Sequence, residues 1–136
     1  MKNDFVMPVR VYYEDTDAGG VVYHANYLNF FERARTEMLR ELGFEQDQLR
    51  EEYGVIFAVR AMQIDYLRPA RFNDLLHVSA TIVELKKASL VFEQTIKCGD
   101  VNLCTCHCRV ACIEASKMQP TAIPDFLLTQ FLMIKP

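Results

Sequence analysis

Apolar residues along this chain follow two different periods. A short β-rich run, Val9 to Tyr13, comes first. From there on, Tyr27, Leu28, Phe31, Ala34, Met38, Leu39 and Leu42 recur at steps of three and four, which predicts one face of a helix. Glu32, Arg33, Thr36, Glu37, Arg40 and Glu41 fill the opposite face, and Gly43 is a stop signal. Such a helix, Tyr27 to Leu42, is roughly 24 Å long at the usual rise per residue. Gln46 to Tyr53 predicts a short second helix, ended by Gly54.

After Gly54 the period becomes two. Val55 to Leu67 predicts a strand broken off by Pro69. Leu75 to Leu85 follows, with Val78, Ala80 and Ile82 on one face; Ser89 to Cys98 puts Leu90, Phe92, Ile96 and Cys98 on one face. Gly99-Asp100-Val101-Asn102 is a turn, and Leu103 to Glu114 is a long strand. Asp125 to Ile134 predicts a short and unusually apolar terminal helix. Long strands joined by short polar turns argue for an antiparallel sheet. The helical stripe must be buried against it, so the fold class is α+β, a sheet of about five strands wrapped on one long helix.

Composition narrows this picture. A length of 136 residues fits one domain, 1–136. The hydrophobic fraction of 51% and charged fraction of 24% are ordinary for a globular chain. A net charge of -3 gives no broad basic footprint, so no nucleic-acid partner is expected. Met1 to Pro8 has no secretory pattern, and no apolar run reaches the ~20 residues of a spanning helix. The expectation is a soluble, cytoplasmic protein with no transmembrane segment.

Five cysteines occur, at 98, 104, 106, 108 and 112. An odd number without a leader argues against a disulfide framework. Four of them share one face of the long strand. Residues two apart in a strand are separated by roughly 6.7 Å. Thiolates on one zinc lie nearer ~4 Å from each other. No metal site is expected; these are small apolar residues facing a core.

Candidate chemistry gathers between Tyr13 and Tyr27. Asp15 and Asp17 stand two apart, Gly19-Gly20 follows, and His24 sits where the long helix begins. Glycine lets backbone come close to a ligand. A helix start offers unpaired N–H groups and partial positive charge. On residues alone Asp17 is either a turn residue beside glycine or a carboxylate placed for chemistry. Asp15 reads as an acceptor for the loop's own backbone. His77 and His107 fall within strand patterns and read as structural.

The same stretch resembles the acyl-CoA thioesterases of the hotdog-fold superfamily, in the branch that includes 4-hydroxybenzoyl-CoA thioesterase. Those enzymes share Asp-x-Asp-x-x-Gly-(Val/Ile)-Val-x-x-x-Asn-Tyr, matched by Asp15, Asp17, Gly20, Val21, Val22, Asn26 and Tyr27. The fuller string Val9 to His24 is similar to the bacterial YbgC-type subgroup, which is linked to the Tol-Pal envelope system. Supporting echoes are Phe31 to Glu37, Ser89 to Phe92 and Lys117 to Pro120. The resemblance runs from about Val9 to Pro120 and implies the hotdog fold, with active sites where two subunits of a homodimer or homotetramer meet.

It also implies roles. Asp17 would be the catalytic carboxylate, attacking the thioester carbonyl or activating a water. The backbone N–H at His24 would polarise the carbonyl, as a donor at a helix N-terminus does. Relatives carry an aromatic residue there, so the His24 side chain has either a role of its own or none. Gly20 and Tyr27 would line the substrate. Lys86 and Lys87 would contact the coenzyme A phosphates, although the third basic position is Ala88 here. The implied activity is hydrolysis of thioesters of coenzyme A, or of acyl carrier protein, without a metal or redox cofactor. The rival readings are a dehydratase or hydratase on the same fold and a non-catalytic module binding acyl carrier protein or envelope partners.

Overall fold

The structure is a computed structural model that describes residues 5–135. Residues 1–4 and 136 lie outside that range. In order, the elements are β1 (Phe5–Arg10), α1 (Asn26–Glu41), α2 (Gln46–Tyr53), β2 (Val55–Tyr66), β3 (Leu75–Leu85), β4 (Ser89–Cys98), β5 (Val101–Glu114), β6 (Gln119–Pro120) and α3 (Asp125–Ile134). The strands form one antiparallel sheet in the order β1-β3-β4-β5-β2, with β6 added beside β5. The sheet curls around α1, the hotdog arrangement.

β1 departs from expectation. It ends at Arg10 rather than running to Tyr13, and it begins well before Val9. Its partner decides this: β3 starts at Leu75, and the ladder runs from Phe5↔Ala80 to Arg10↔Leu75. Beyond Arg10 the chain turns off into a 3₁₀ turn over Tyr13–Asp15. Pro8 is tolerated because β1 is an edge strand. The short β6 was absent from the sequence reading. β5 begins at Val101, so the turn before it shrinks to Gly99-Asp100.

The buried face of α1 is Tyr27, Phe30, Phe31, Ala34, Met38 and Leu39. Leu28 belongs to the other side and is 39% exposed, a correction to the predicted stripe. Phe30 lies three after Tyr27 and four before Ala34, so it shares their face. Against this stripe pack Val78, Ala80 and Ile82 from β3, Leu90, Phe92 and Ile96 from β4, and Cys104, Cys106, Cys108 and Cys112 from β5. Small side chains in the sheet leave room for the aromatic residues of the helix.

One polar group crosses this core. Gln94 is fully buried; its Nε2 donates to the Phe31 carbonyl at 3.0 Å and the Ser79 carbonyl at 3.1 Å, and its Oε1 accepts from Arg35 Nη1 at 2.8 Å. Every polar atom is used, so the buried amide fastens helix to sheet without a desolvation penalty left over.

Candidate active site

The stretch between β1 and α1 is folded by its own backbone. The Asp15 N–H donates to the Tyr12 carbonyl at 3.0 Å, closing the 3₁₀ turn. A tight hairpin follows: Asp17 N–H donates to the Val21 carbonyl at 2.9 Å, and Gly20 N–H to the Asp17 carbonyl at 3.0 Å. Gly20 has φ +80, a left-handed conformation that a side chain would strain. Thr16 bridges Val22, and Tyr23 N–H donates to the Asp15 carbonyl at 2.9 Å. The outer side of the hairpin is docked by Val22 N–H on the Ala70 carbonyl at 2.9 Å and by the Val21–Arg71 bridge.

Asp17 stands exposed at the hairpin tip. Its Oδ1 accepts from the Gly19 N–H at 2.8 Å, and a Cβ added at Gly19 would come within 3.2 Å of that oxygen. Gly19 therefore holds the carboxylate's orientation while leaving it room. Oδ2 has no partner among the described residues. Asp15 differs in every respect. It is 8% exposed, with Oδ2 accepting from Tyr12 N–H at 2.8 Å and Oδ1 accepting from Asn26 Nδ2 at 2.7 Å.

α1 starts at Asn26 without a side-chain cap, and Ala25 before it is already helical. Among the described residues, nothing accepts from the N–H of His24 or Ala25. Free donors at a helix start suit a carbonyl oxygen or an anion. The His24 carbonyl is held by the Tyr66 hydroxyl, which donates to it at 2.7 Å. The exposed imidazole packs on Tyr23 at 4.6 Å between ring centroids and meets Tyr66 edge-on at 6.4 Å.

An open cleft of about 280 Å³ lies here, lined by Val22, His24, Tyr27, Tyr66, Leu67, Arg68 and Pro69. Tyr27 contributes its ring rather than its hydroxyl. The residue is 3% exposed, and its hydroxyl accepts from Ala70 N–H at 3.0 Å. Burial pushes the Tyr27 phenol above its ordinary value, so it stays neutral in the working pH range. Tyr66 and Arg68 escaped the sequence reading, which has Tyr66 near the end of a strand that stops at Leu67 and gives Arg68 no role before Pro69. No local pattern announces that this strand end returns to the start of α1.

Lys86 and Lys87 lie elsewhere. They form the β3–β4 turn, fixed by Lys86 N–H on the Ser89 carbonyl and Ile123 N–H on the Lys87 carbonyl, both at 2.8 Å. Lys86 Nζ sits 3.5 Å from Glu84 Oε2, which also takes Arg109 Nη1 at 3.2 Å. The Asp17 hairpin docks just before β3 begins and the lysines just after it ends. An 11-residue strand separates them, on the order of 30 Å along the sheet. The fold ties the Asp17–Gly20 hairpin to the His24 segment through Asp15–Tyr23 and Thr16–Val22. His24 and Tyr27 line the cleft, whereas Asp17 and Gly20 are not among its lining residues. Lys86 and Lys87 lie at the far end of β3.

The remaining candidates fall into place as structure. His107 Nε2 pairs with Glu93 Oε2 across the outer face at 3.1 Å. Cys104, Cys106, Cys108 and Cys112 are buried; loss of solvent pushes the Cys104 and Cys106 thiols up to about 12 and Cys112 up to about 11. Such thiols are poor nucleophiles. Among the described residues no His, Cys, Asp and Glu cluster could hold a metal ion, and no helix is long and apolar enough to cross a membrane.

Residues 11–131 match the family described as the Thioesterase-like superfamily. The acyl-CoA thioesterase YbgC of Haemophilus influenzae is 48% identical over 135 residues, which is 99% of each chain. The acyl-CoA thioester hydrolase YbgC of Escherichia coli is 48% identical over 93% of this chain and 95% of its own length. Among solved structures, a probable thioesterase from Bartonella henselae superimposes with a TM-score of 0.86 at 40% identity, covering 89% of this chain and 99% of that one.

Proposed function

The chain belongs to the Thioesterase-like superfamily, as an acyl-CoA thioesterase of the YbgC type, and from that premise we propose that Asp17 carries the hydrolysis while the helix start at His24 holds the thioester carbonyl. One observation supports this above the rest. The hairpin that presents the free Asp17 oxygen is bonded, Asp15 to Tyr23 and Thr16 to Val22, to the segment that presents the free N–H groups. A carbonyl oxygen on those donors gains stabilisation as it becomes an oxyanion. The Asp17 carboxylate acts on the carbonyl carbon directly or takes a proton from an attacking water. By direct attack Asp17 forms a mixed anhydride as the C–S bond breaks. Water then hydrolyses it to the free acid, restores Asp17 and supplies the proton for the thiolate. By the water route the water oxygen bonds the carbonyl carbon as Asp17 takes its proton, the C–S bond breaks, and that proton goes to the thiolate. The His24 side chain lines the cleft, and its backbone does the polarising.

The substrate's nucleotide end requires a second copy. β2 pairs only with β5 among the described strands, so its other edge is open. Ser89 of β4 aligns through Ala111 of β5 with Ala58 of β2, so the lysine turn lies at the Val55 end of β2. The His24 cleft lies at its Tyr66 end. Antiparallel pairing of two β2 edges sets the Tyr66 end of one copy beside the Val55 end of the other. Lys86 and Lys87 of one subunit then face the phosphates of a coenzyme A bound in its partner's cleft. Acyl carrier protein offers the same thioester without those nucleotide phosphates, so the lysines favour coenzyme A.

Asp17→Asn tests the assignment. The variant keeps its thermal unfolding profile and loses at least about 1000-fold in kcat, some 4 kcal/mol of barrier, in a thiol-release assay on acyl-CoA. Activity within about threefold of the parent sinks the assignment. A single turnover in heavy-oxygen water separates the two routes. Label on Asp17 means direct attack. With label only in the free acid, acyl group found covalently on Asp17 in a rapid-quench sample still means direct attack, and its absence means an activated water.

A further inference from the structure

We propose that Asp15 and Asn26 form a positioning pair that sets the Asp17 carboxylate against the free N–H groups at the start of α1, an inference that rests on the Asp17 reading above. Asp15 stands two residues before Asp17, and Asn26 two residues after His24. The 2.7 Å bond from Asn26 Nδ2 to Asp15 Oδ1 therefore ties the two working segments directly to each other.

Each end of this staple is itself held. Asp15 Oδ2 accepts from Tyr12 N–H at 2.8 Å, which locks the 3₁₀ turn leading into the hairpin. Asn26 Oδ1 accepts from Asn29 Nδ2 at 2.7 Å, and Asn26 N–H donates to the Tyr23 carbonyl at 2.8 Å, which seat it in the first turn of α1. Asp15 is the one buried carboxylate among the described residues, and no cation pairs with it there. A buried acid costs free energy unless its oxygens are bonded. Both oxygens of Asp15 are used on groups that flank the site rather than on the core. Apolar anchoring of the loop is already supplied by Val11, Val22 and Tyr27, all buried. The loop has its own hydrophobic attachment; the staple adds register between the two halves.

The chemistry of the pair permits an exchange. In Asp15→Asn combined with Asn26→Asp, the new amide at position 15 donates to the new carboxylate and still accepts from Tyr12 N–H. The carboxylate at position 26 still accepts from Asn29. All three side-chain bonds survive, and only the one between positions 15 and 26 reverses its direction. Asn26→Asp alone sets two carboxylates against each other, and Asp15→Asn alone leaves one acceptor oxygen for the two donors, Tyr12 N–H and Asn26 Nδ2.

The experiment measures kcat and KM on acyl-CoA, normalised to folded protein by thermal denaturation, for both single variants, the exchanged pair and Asp17→Asn. Misplacement of reacting groups lowers kcat by about 100-fold in each single variant, while KM moves less than about threefold. The exchanged pair recovers kcat to within about threefold of the parent. The proposal is overturned if the exchanged pair is as slow as the single variants. It is equally overturned if the single variants melt earlier yet keep the parental kcat per folded molecule. Should the single variants fail to fold, Asn26→Ala removes the staple and the exposed Asn29 contact and leaves Asp15 bonded to Tyr12; parental kcat in that variant overturns the pair. If Asp17→Asn is dead while the Asp15 and Asn26 variants are normal, the staple alone is wrong. If Asp17→Asn is active, the site reading fails with it.

Discussion

Where β3 begins, the chain is knitted backbone to backbone: Asn73 and Asp74 to Val11, Ala70 to Val22, and Asp15 to Tyr23. Where β3 ends, the turn is equally well bonded, but Lys86 and Lys87 project from it into solvent, and Lys86 shares Glu84 with Arg109. The first end is a local construction holding a carboxylate and free N–H groups in one frame. The second offers exposed positive charge, of which Lys86 is paired with Glu84. Bond making demands groups held to a fraction of an ångström, whereas phosphate binding tolerates mobile side chains acting through a field. The proposed roles of the two ends match those two tolerances.

Mixing subunits is the sharpest way to break this comparison. Asp17→Asn alone is inactive, and Lys86→Ala with Lys87→Ala alone turns over with a raised KM. If each site draws its carboxylate from one copy and its lysines from the other, random re-pairing restores parental KM in roughly a quarter of the sites. Initial rates at low acyl-CoA, taken before and after subunit exchange, read this out. A rate equal to the sum of the two separate variants means that the two ends never meet.

The lysine pair itself gives a smaller effect. Removing both raises KM for acyl-CoA by roughly fivefold with kcat nearly unchanged, since exposed charge contacts are weak and act alike in ground and transition states. The difference shrinks as salt rises. Short thioesters lacking the nucleotide respond equally in parent and variant. A fall in kcat on those short substrates would mean that the lysine end reaches the chemistry after all.

The smallest effect concerns what joins the two ends. β5 runs beneath both, and its thiols are buried along it. The folded state raises Cys104 and Cys106 from the ordinary 9.0 to about 12, chiefly by desolvation. The folded form thus binds protons that the unfolded chain releases. The stability this supplies is complete below pH 9 and is lost as pH rises toward 12. Denaturant unfolding followed from pH 8 to 11 should show falling stability, with both ends melting in one transition. Two separate transitions would mean that the ends are independent.

Much of this was legible in the chain. The bounds of α2, β3, β4 and α3 agree with the predicted spans to the residue, and α1 is displaced by one. Period, glycine stops and turn residues are local signals, and these elements obey them. The even spacing of Cys104, Cys106, Cys108 and Cys112 likewise foretold one buried face. The misses share a cause. β1 ends where its partner begins. Phe30 is chosen over Leu28 by the direction from which the sheet approaches. Gln94 is buried because α1 and β3 supply its partners, none of which is near it in sequence.

By itself the sequence determined which residues could do chemistry: two acids, a glycine pair and a helix start within one short stretch, whose order is covalent and whose turns are closed by neighbours. Only the tertiary structure decided how those residues are placed and bonded. It buried Asp15 against Asn26 and left Asp17 open, because one faces the start of α1 and the other the hairpin tip. It also carried Lys86 and Lys87 the length of β3 away from Asp17. Distance between segments depends on the direction in which each strand runs and on what it pairs with. Those are properties of long-range pairing that no window along the chain contains.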